Sequence, residues 1–129
     1  MLQPQNIIDL TILYIDDNQD NGYMLSRRLE RLGVKCIISA FAMETIDLIL
    51  QHNPDVVLLD LHMPRLSGFD VLEKIRTHET ISTIPVWAFT ANSISDMRAK
   101  CLNAGFDGFI AKPIMRADIE NLITHFTAH

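Results

Sequence analysis

Val56-Val57-Leu58-Leu59 is an unbroken aliphatic run that ends on an acid, Asp60. A strand with one wet face alternates apolar and polar residues. A run with no alternation needs cover on both faces, as in a parallel sheet flanked by helices. The rest of the chain supplies that cover. Thr11 to Ile15 is apolar and β-branched and stops at Asp16; the helical stretch after it places Leu25, Leu29 and Leu32 on one face and ends at Gly33. Val34 to Ile38 reads as a second strand, with Lys35 marking a sheet edge. Ala42 to Leu50 is helical with Ile46, Ile49 and Leu50 inward, and Asn53-Pro54 breaks it. Beyond the loop from Asp60 to Leu66, which contains Pro64, Ser67 is the expected N-cap of a helix carrying Val71, Leu72 and Ile75. Ile84 to Phe89 is a fourth strand with Pro85 tolerated near its start, and it ends at Thr90. A helix carrying Met97, Cys101 and Ala104 stops at Gly105; Gly108 to Ala111 is a fifth strand ending at Lys112-Pro113. The last helix carries the stripe Ile119, Leu122, Ile123 and Phe126 but has no evident Ser, Thr or Asp cap, since Ile114 and Met115 follow Pro113.

Strands and helices therefore alternate through five βα units. That pattern predicts an α/β fold: a five-stranded parallel sheet with helices on both faces and right-handed crossovers. A length of 129 residues suits one domain, expected over 1–129 with its core at roughly 9–127 and no output domain after the fifth helix. The apolar share of 48% and charged share of 21% are those of an ordinary globular chain. No apolar run reaches the length of a membrane span, and Met1 to Asn6 lacks the layout of a secretion signal, so a cytoplasmic location is expected. Cys36 and Cys101 lie in apolar segments far apart and read as small buried hydrophobes. A net charge of −5 with no Lys/Arg block speaks against direct DNA binding. Trp87, on a central strand, is expected to pack under a helix.

The polar residues carry the functional signal through their positions. Asp16 and Asp17 follow the first strand, Asp60 ends the third, Thr90 the fourth and Lys112 the fifth. In a parallel sheet the carboxyl ends of the strands share one edge, where ligands bind. Three carboxylates, a hydroxyl and an ammonium should therefore meet there. Crowded carboxylates repel unless a hard divalent cation joins them, and oxygen ligands with room for water suit Mg²⁺, with Mn²⁺ as a substitute. A central carboxylate can then act as a nucleophile toward phosphorus, with Lys and Thr on the phosphoryl oxygens. Taken singly, each residue has a plainer explanation: Asp16-Asp17 as helix caps, Thr90 as a strand residue, Lys112 as a surface charge. The joint occurrence at four of five strand ends is what makes the plainer set improbable.

The chain resembles the receiver domains of two-component response regulators. The resemblance is carried by Tyr14-Ile15-Asp16-Asp17-Asn18, Leu58-Leu59-Asp60-Leu61-His62-Met63-Pro64 with Gly68 after it, Phe89-Thr90-Ala91 and Ala111-Lys112-Pro113. It implies a flavodoxin-like (βα)5 fold with strand order 2-1-3-4-5, the order known for that family. It implies phosphorylation of Asp60 by a phosphohistidine on a sensor histidine kinase or a histidine phosphotransfer protein. Metal contacts are implied for Asp17, Asp60 and the backbone carbonyl of His62, with Asp16 acting through water. Thr90 and Lys112 are implied as phosphoryl contacts, and the Lys112-Pro113 bond as cis. The implied switch moves Thr90 and turns the aromatic residue of strand five, Phe109, inward. That would reshape the face of helix four, strand five and helix five for a protein target whose identity the sequence does not name. Phe109 lacks the hydroxyl of the commoner Tyr, and His62 and Asn92 occupy positions where the family tunes dephosphorylation.

Three other functions compete. A haloacid-dehalogenase type phosphohydrolase wants an Asp where His62 stands. A flavodoxin-like cofactor binder would cradle phosphate after strand one, where Asp16-Asp17-Asn18-Gln19-Asp20 repels it. A receiver-like module working without phosphorylation would have lost part of the set that this chain keeps. The expected protein is thus a signalling receiver, not a metabolic enzyme.

Overall fold

The computed structural model describes residues 8–63, 65–91 and 95–127, with the backbone alone for Ser95. Pro64, Asn92 and His129 lie outside the described residues. Five strands, β1 (Thr11–Ile15), β2 (Lys35–Ser39), β3 (Val56–Asp60), β4 (Val86–Thr90) and β5 (Gly108–Ala111), form one parallel sheet in the order β2-β1-β3-β4-β5. Five α-helices alternate with them: α1 (Gln19–Arg31), α2 (Thr45–His52, led by a 3-10 turn over Ala42–Glu44), α3 (Gly68–Arg76), α4 (Ser95–Ala104) and α5 (Arg116–Thr127). The expected flavodoxin-like architecture is the one observed, with β2 at an edge.

The period-two alternation of the strands divides the core into two layers. Leu13, Ile15, Val57, Leu59, Val86 and Ala88 point to one face, covered by Ile49 of α2, Val71, Leu72 and Ile75 of α3 and Cys101 of α4. Ile12, Tyr14, Leu58, Phe89 and Ile110 point to the other, covered by Leu25 and Leu29 of α1 and Ile119 and Leu122 of α5. Every residue of β3 is buried, as a strand covered on both faces requires. Ser67 caps α3 through a capping box with Asp70.

Three apolar residues of the helical stretches face solvent, Leu50 against expectation. Leu32 is 43% exposed because α1 ends at Arg31 and Leu32 is its C-cap. Leu50 is 51% exposed; the register of α2 instead buries Thr45, whose hydroxyl donates to the Ala42 carbonyl at 2.7 Å. Ala104, the last residue of α4, faces solvent. Cys101 is buried as expected, whereas Cys36 on the edge strand is only half-buried. Burial nevertheless pushes the Cys36 thiol up to about 12, with the charge of Glu30 adding to it.

Trp87 packs against α5, its ring 5.6 Å from His125 and 6.0 Å from Phe126. It fits because its neighbour in β5 is Gly108, where a Cβ would come within 2.3 Å of the indole. Among the described residues its Nε1 is a buried donor without a hydrogen-bond partner, a cost accepted for the packing. The helix without an evident cap has one of a different kind: Asp118 in the first turn of α5 accepts from the Met115 amide at 2.9 Å.

Candidate functional site

The carboxyl ends of the parallel strands share one edge of the sheet, and the predicted residues meet in a cleft there. Asp16 and Asp60 are each 2% exposed, Thr90 is fully buried, and Asp17 stands in solvent at the rim. Asp16, Asp17 and Asp60 each present a carboxylate oxygen within 4.8 Å of the others. The Lys112 ammonium lies 3.0 Å from Asp16 Oδ2 and 3.5 Å from Asp60 Oδ2.

Local structure explains each placement. The acids that follow β1 do not cap α1. Asn18 does, accepting from the amides of Asp20 and Asn21, so both acids are left to face the cleft. Asp16 is held by four donors: Tyr14 Oη at 2.5 Å, the Asn18 amide at 2.9 Å, Asn21 Nδ2 at 3.3 Å and Lys112. Asp60 Oδ1 accepts from the amide of His62 at 3.2 Å, which ties the loop after β3 to the carboxylate. His62 itself is exposed. That loop is fixed from behind by Gly68 at the start of α3: a Cβ there would lie 2.6 Å from the Asp60 carbonyl oxygen. Lys112 follows β5 by continuing its ladder, its amide donating to Thr90 O at 2.7 Å, and the Lys112-Pro113 bond is cis. The ammonium also sits 5.2 Å over the ring of Phe89, which packs edge-on against Tyr14 at 5.4 Å.

Electrostatics separates the two buried acids. Burial raises both, but for Asp16 the Tyr14 hydroxyl, the Asn18 amide and Lys112 outweigh it and hold the carboxyl below its usual range. For Asp60 burial prevails over the His62 amide, the charge of Asp16 reinforces it, and the carboxyl is pushed up to about 6 in spite of Lys112. Burial and the bond to Asp16 drive the Tyr14 phenol far above its ordinary range, so it remains a donor.

The cleft is short of positive charge: among the described residues, Lys112 is the one cation ion-paired with the three clustered carboxylates, through Asp16 and Asp60. Their all-oxygen character, their spacing and the solvent access at Asp17 fit a hard divalent cation such as Mg²⁺. Sequence reasoning placed Asp16, Asp17, Asp60, Thr90 and Lys112 here. It missed Tyr14 and Phe89 as parts of the site. The signal was available: residues 14 and 16 share one face of a period-two strand. Phe109 lies apart from the acids, half-buried on β5 opposite Ala88.

The fold and this cleft define a receiver. The chain belongs to the response regulator receiver domain family, whose family model matches residues 12–124. It is 37% identical over 121 residues to hybrid signal transduction histidine kinase L of Dictyostelium discoideum, a match covering 89% of this chain but 7% of that protein. It is 29% identical over 104 residues to the polar-differentiation response regulator DivK of Brucella ovis, covering 81% of this chain and 85% of DivK. Among solved structures, the receiver domain of sensor histidine kinase PA1611 from Pseudomonas aeruginosa superposes with a TM-score of 0.80 at 28% identity, over 93% of this chain and 98% of that one. That structure has a magnesium ion coordinated in its active site cleft. The chain is thus a receiver domain of two-component signalling, related to the receivers of histidine kinases. Among the described residues no helix is long and apolar enough to cross a membrane.

Proposed function

We propose that this chain takes a phosphoryl group onto Asp60 from a phosphohistidine of a histidine kinase or phosphotransfer protein, with Mg²⁺ present, and passes the signal to a protein target by a change of shape. The observation that supports it most is the convergence of three carboxylates, with oxygens within 4.8 Å of one another, beside the Lys112 ammonium. Asp17, Asp60 and the backbone carbonyl of His62 are the proposed metal contacts, with Asp16 acting through water; bound there, the cation neutralises carboxylate and phosphoryl charge.

Asp60 is the nucleophile. One carboxylate oxygen forms a bond to phosphorus, the phosphorus–nitrogen bond to the donor imidazole breaks, and the electron pair returns to that nitrogen. Tyr14, Asn18 and Asn21 keep Asp16 fixed and charged beside it. Lys112, held over Phe89, is positioned to leave its carboxylate partners for a phosphoryl oxygen. The Thr90 hydroxyl donates to another oxygen and transmits the event to Phe109, altering the face of α4, β5 and α5. His62 and Asn92 set the lifetime of the acyl phosphate. The chain acts as one receiver unit that signals and does not turn over a metabolite.

The test is transfer of label from a phosphorylated histidine phosphotransfer domain. Label should move to the wild-type chain, be released by hydroxylamine as an acyl phosphate is, and fail to move to Asp60→Asn. Equal labelling of Asp60→Asn would refute the assignment.

A further inference from the structure

Helix α4 is the least anchored helix on its face of the sheet. Among its described side chains only Cys101 is buried and Met97 half-buried; the rest face solvent. Its neighbour α3, by contrast, buries Gly68, Val71, Leu72 and Ile75. What α4 has instead is a cation over an aromatic ring on each side. The Lys100 ammonium lies 5.3 Å from the centroid of Phe69 in α3, and the Arg98 guanidinium 5.8 Å from that of Phe109 in β5. Phe69 is fixed by an edge-to-face contact at 5.7 Å with the buried Phe106. Phe109 is only half-buried against the core layer beneath α4.

A phenylalanine ring has two handles, its packing and the negative face of its π-system. A tyrosine could be held by its hydroxyl; Phe109 cannot. A guanidinium is suited to the face of the ring, being planar, weakly hydrated and charged at every working pH. We propose that Arg98 is a positioning residue for Phe109: its guanidinium holds the ring in the position seen here, in place of a hydroxyl bond, and couples α4 to β5. The ring leaves that contact when Thr90 is drawn toward a phosphoryl group on Asp60, a step that rests on the receiver reading above. Weakening the contact removes a brake on the resting state. Where the resting state dominates, the affinity for any ligand of the switched state then rises by the same factor.

The test is titration of the whole chain with beryllium fluoride, a phosphoryl analogue, in saturating Mg²⁺, with 4-fluorophenylalanine at position 109 read by fluorine NMR. Arg98→Gln should bind the analogue about two- to five-fold more tightly, the factor that one exposed cation–π contact supports. Arg98→Lys should return part of the difference, and Lys100→Gln should match wild type. The fluorine signal should shift on binding. Unchanged affinity in Arg98→Gln, an equal gain in Lys100→Gln, or a fluorine signal that stays fixed while the analogue binds would each overturn the role of Arg98 alone. No binding by wild type would instead remove the receiver reading, and this proposal with it.

Discussion

The two ends of the sheet each carry acids beside a cation, and they are built on opposite terms. At the amino end Arg76 donates to the carbonyls of Ser82, Ile84 and Gly105 and to Asp107 at 2.8 Å, and Asp107 also accepts from the Val86 amide. Charge there is one against one, and the guanidinium donates to the segment between α3 and β4 and to the loop before β5. At the carboxyl end Asp16, Asp17 and Asp60 cluster, and among the described residues Lys112 is the one cation ion-paired with them, through Asp16 and Asp60. The first cluster is closed and holds the fold together. The second is left with surplus negative charge, and that surplus, more than the presence of acids, marks it as the place for a cation and a phosphoryl group.

Substitutions at the two ends should therefore move stability in opposite directions. The largest effect is expected from Asp60→Asn without divalent cations. The folded carboxyl titrates near 6, above its ordinary value of 3.8, so the native state binds the proton more tightly than the unfolded chain does. The contribution of Asp60 to stability is present below about pH 4 and is lost as pH rises through 6; that of Asp16, shifted downward, is retained across this window. Asn carries no such loss. Asp60→Asn should be more stable than wild type at pH 7, by up to about 3 kcal/mol, with the gap closing toward pH 4. Urea unfolding at both pH values checks this, and a constant gap would contradict it. Mg²⁺ should narrow the gap at pH 7 by binding the wild type.

Arg76→Ala at the closed end should destabilise by about 2 kcal/mol. It strips three carbonyls and a carboxylate of their donor, although the pair is partly exposed, with side chains at 25% and 50%. Urea midpoints measure it, and analogue binding at the carboxyl end should be unaffected. Asp118→Ala, which removes the cap on the Met115 amide, should cost about 1 kcal/mol, read the same way. Cys36 should react with a thiol reagent at pH 8 more slowly than a free cysteine, because burial keeps it protonated.

The same contrast governs what could be read from residues alone. Each acid, hydroxyl or ammonium of the open cluster ends an apolar run, so Asp16, Asp60, Thr90 and Lys112 declare themselves once the strands are recognised. Arg76 and Asp107 lie at the end of a helix and in a turn, 31 positions apart, and nothing periodic connects them. Leu32 misled because it extends an apolar stripe past the end of α1, and Leu50 because the register of α2 turns Thr45 inward in its place. Asp118 escaped notice because it caps α5 from inside the helix, three residues after the amide it accepts from. Gly108 reveals its role only when Trp87 lies across it. Element order and the open site follow from patterns along the chain; the closed cluster and the close approaches follow from packing.

The most direct test is the intact mass of the chain after incubation with a small acyl-phosphate donor, with and without Mg²⁺, for wild type and Asp60→Asn. If Asp60 is the phosphoryl acceptor, a single phosphate adduct forms on wild type only when Mg²⁺ is present, and none forms on Asp60→Asn. An adduct that forms without a divalent cation or on Asp60→Asn, or no adduct on folded wild type with Mg²⁺, would contradict it.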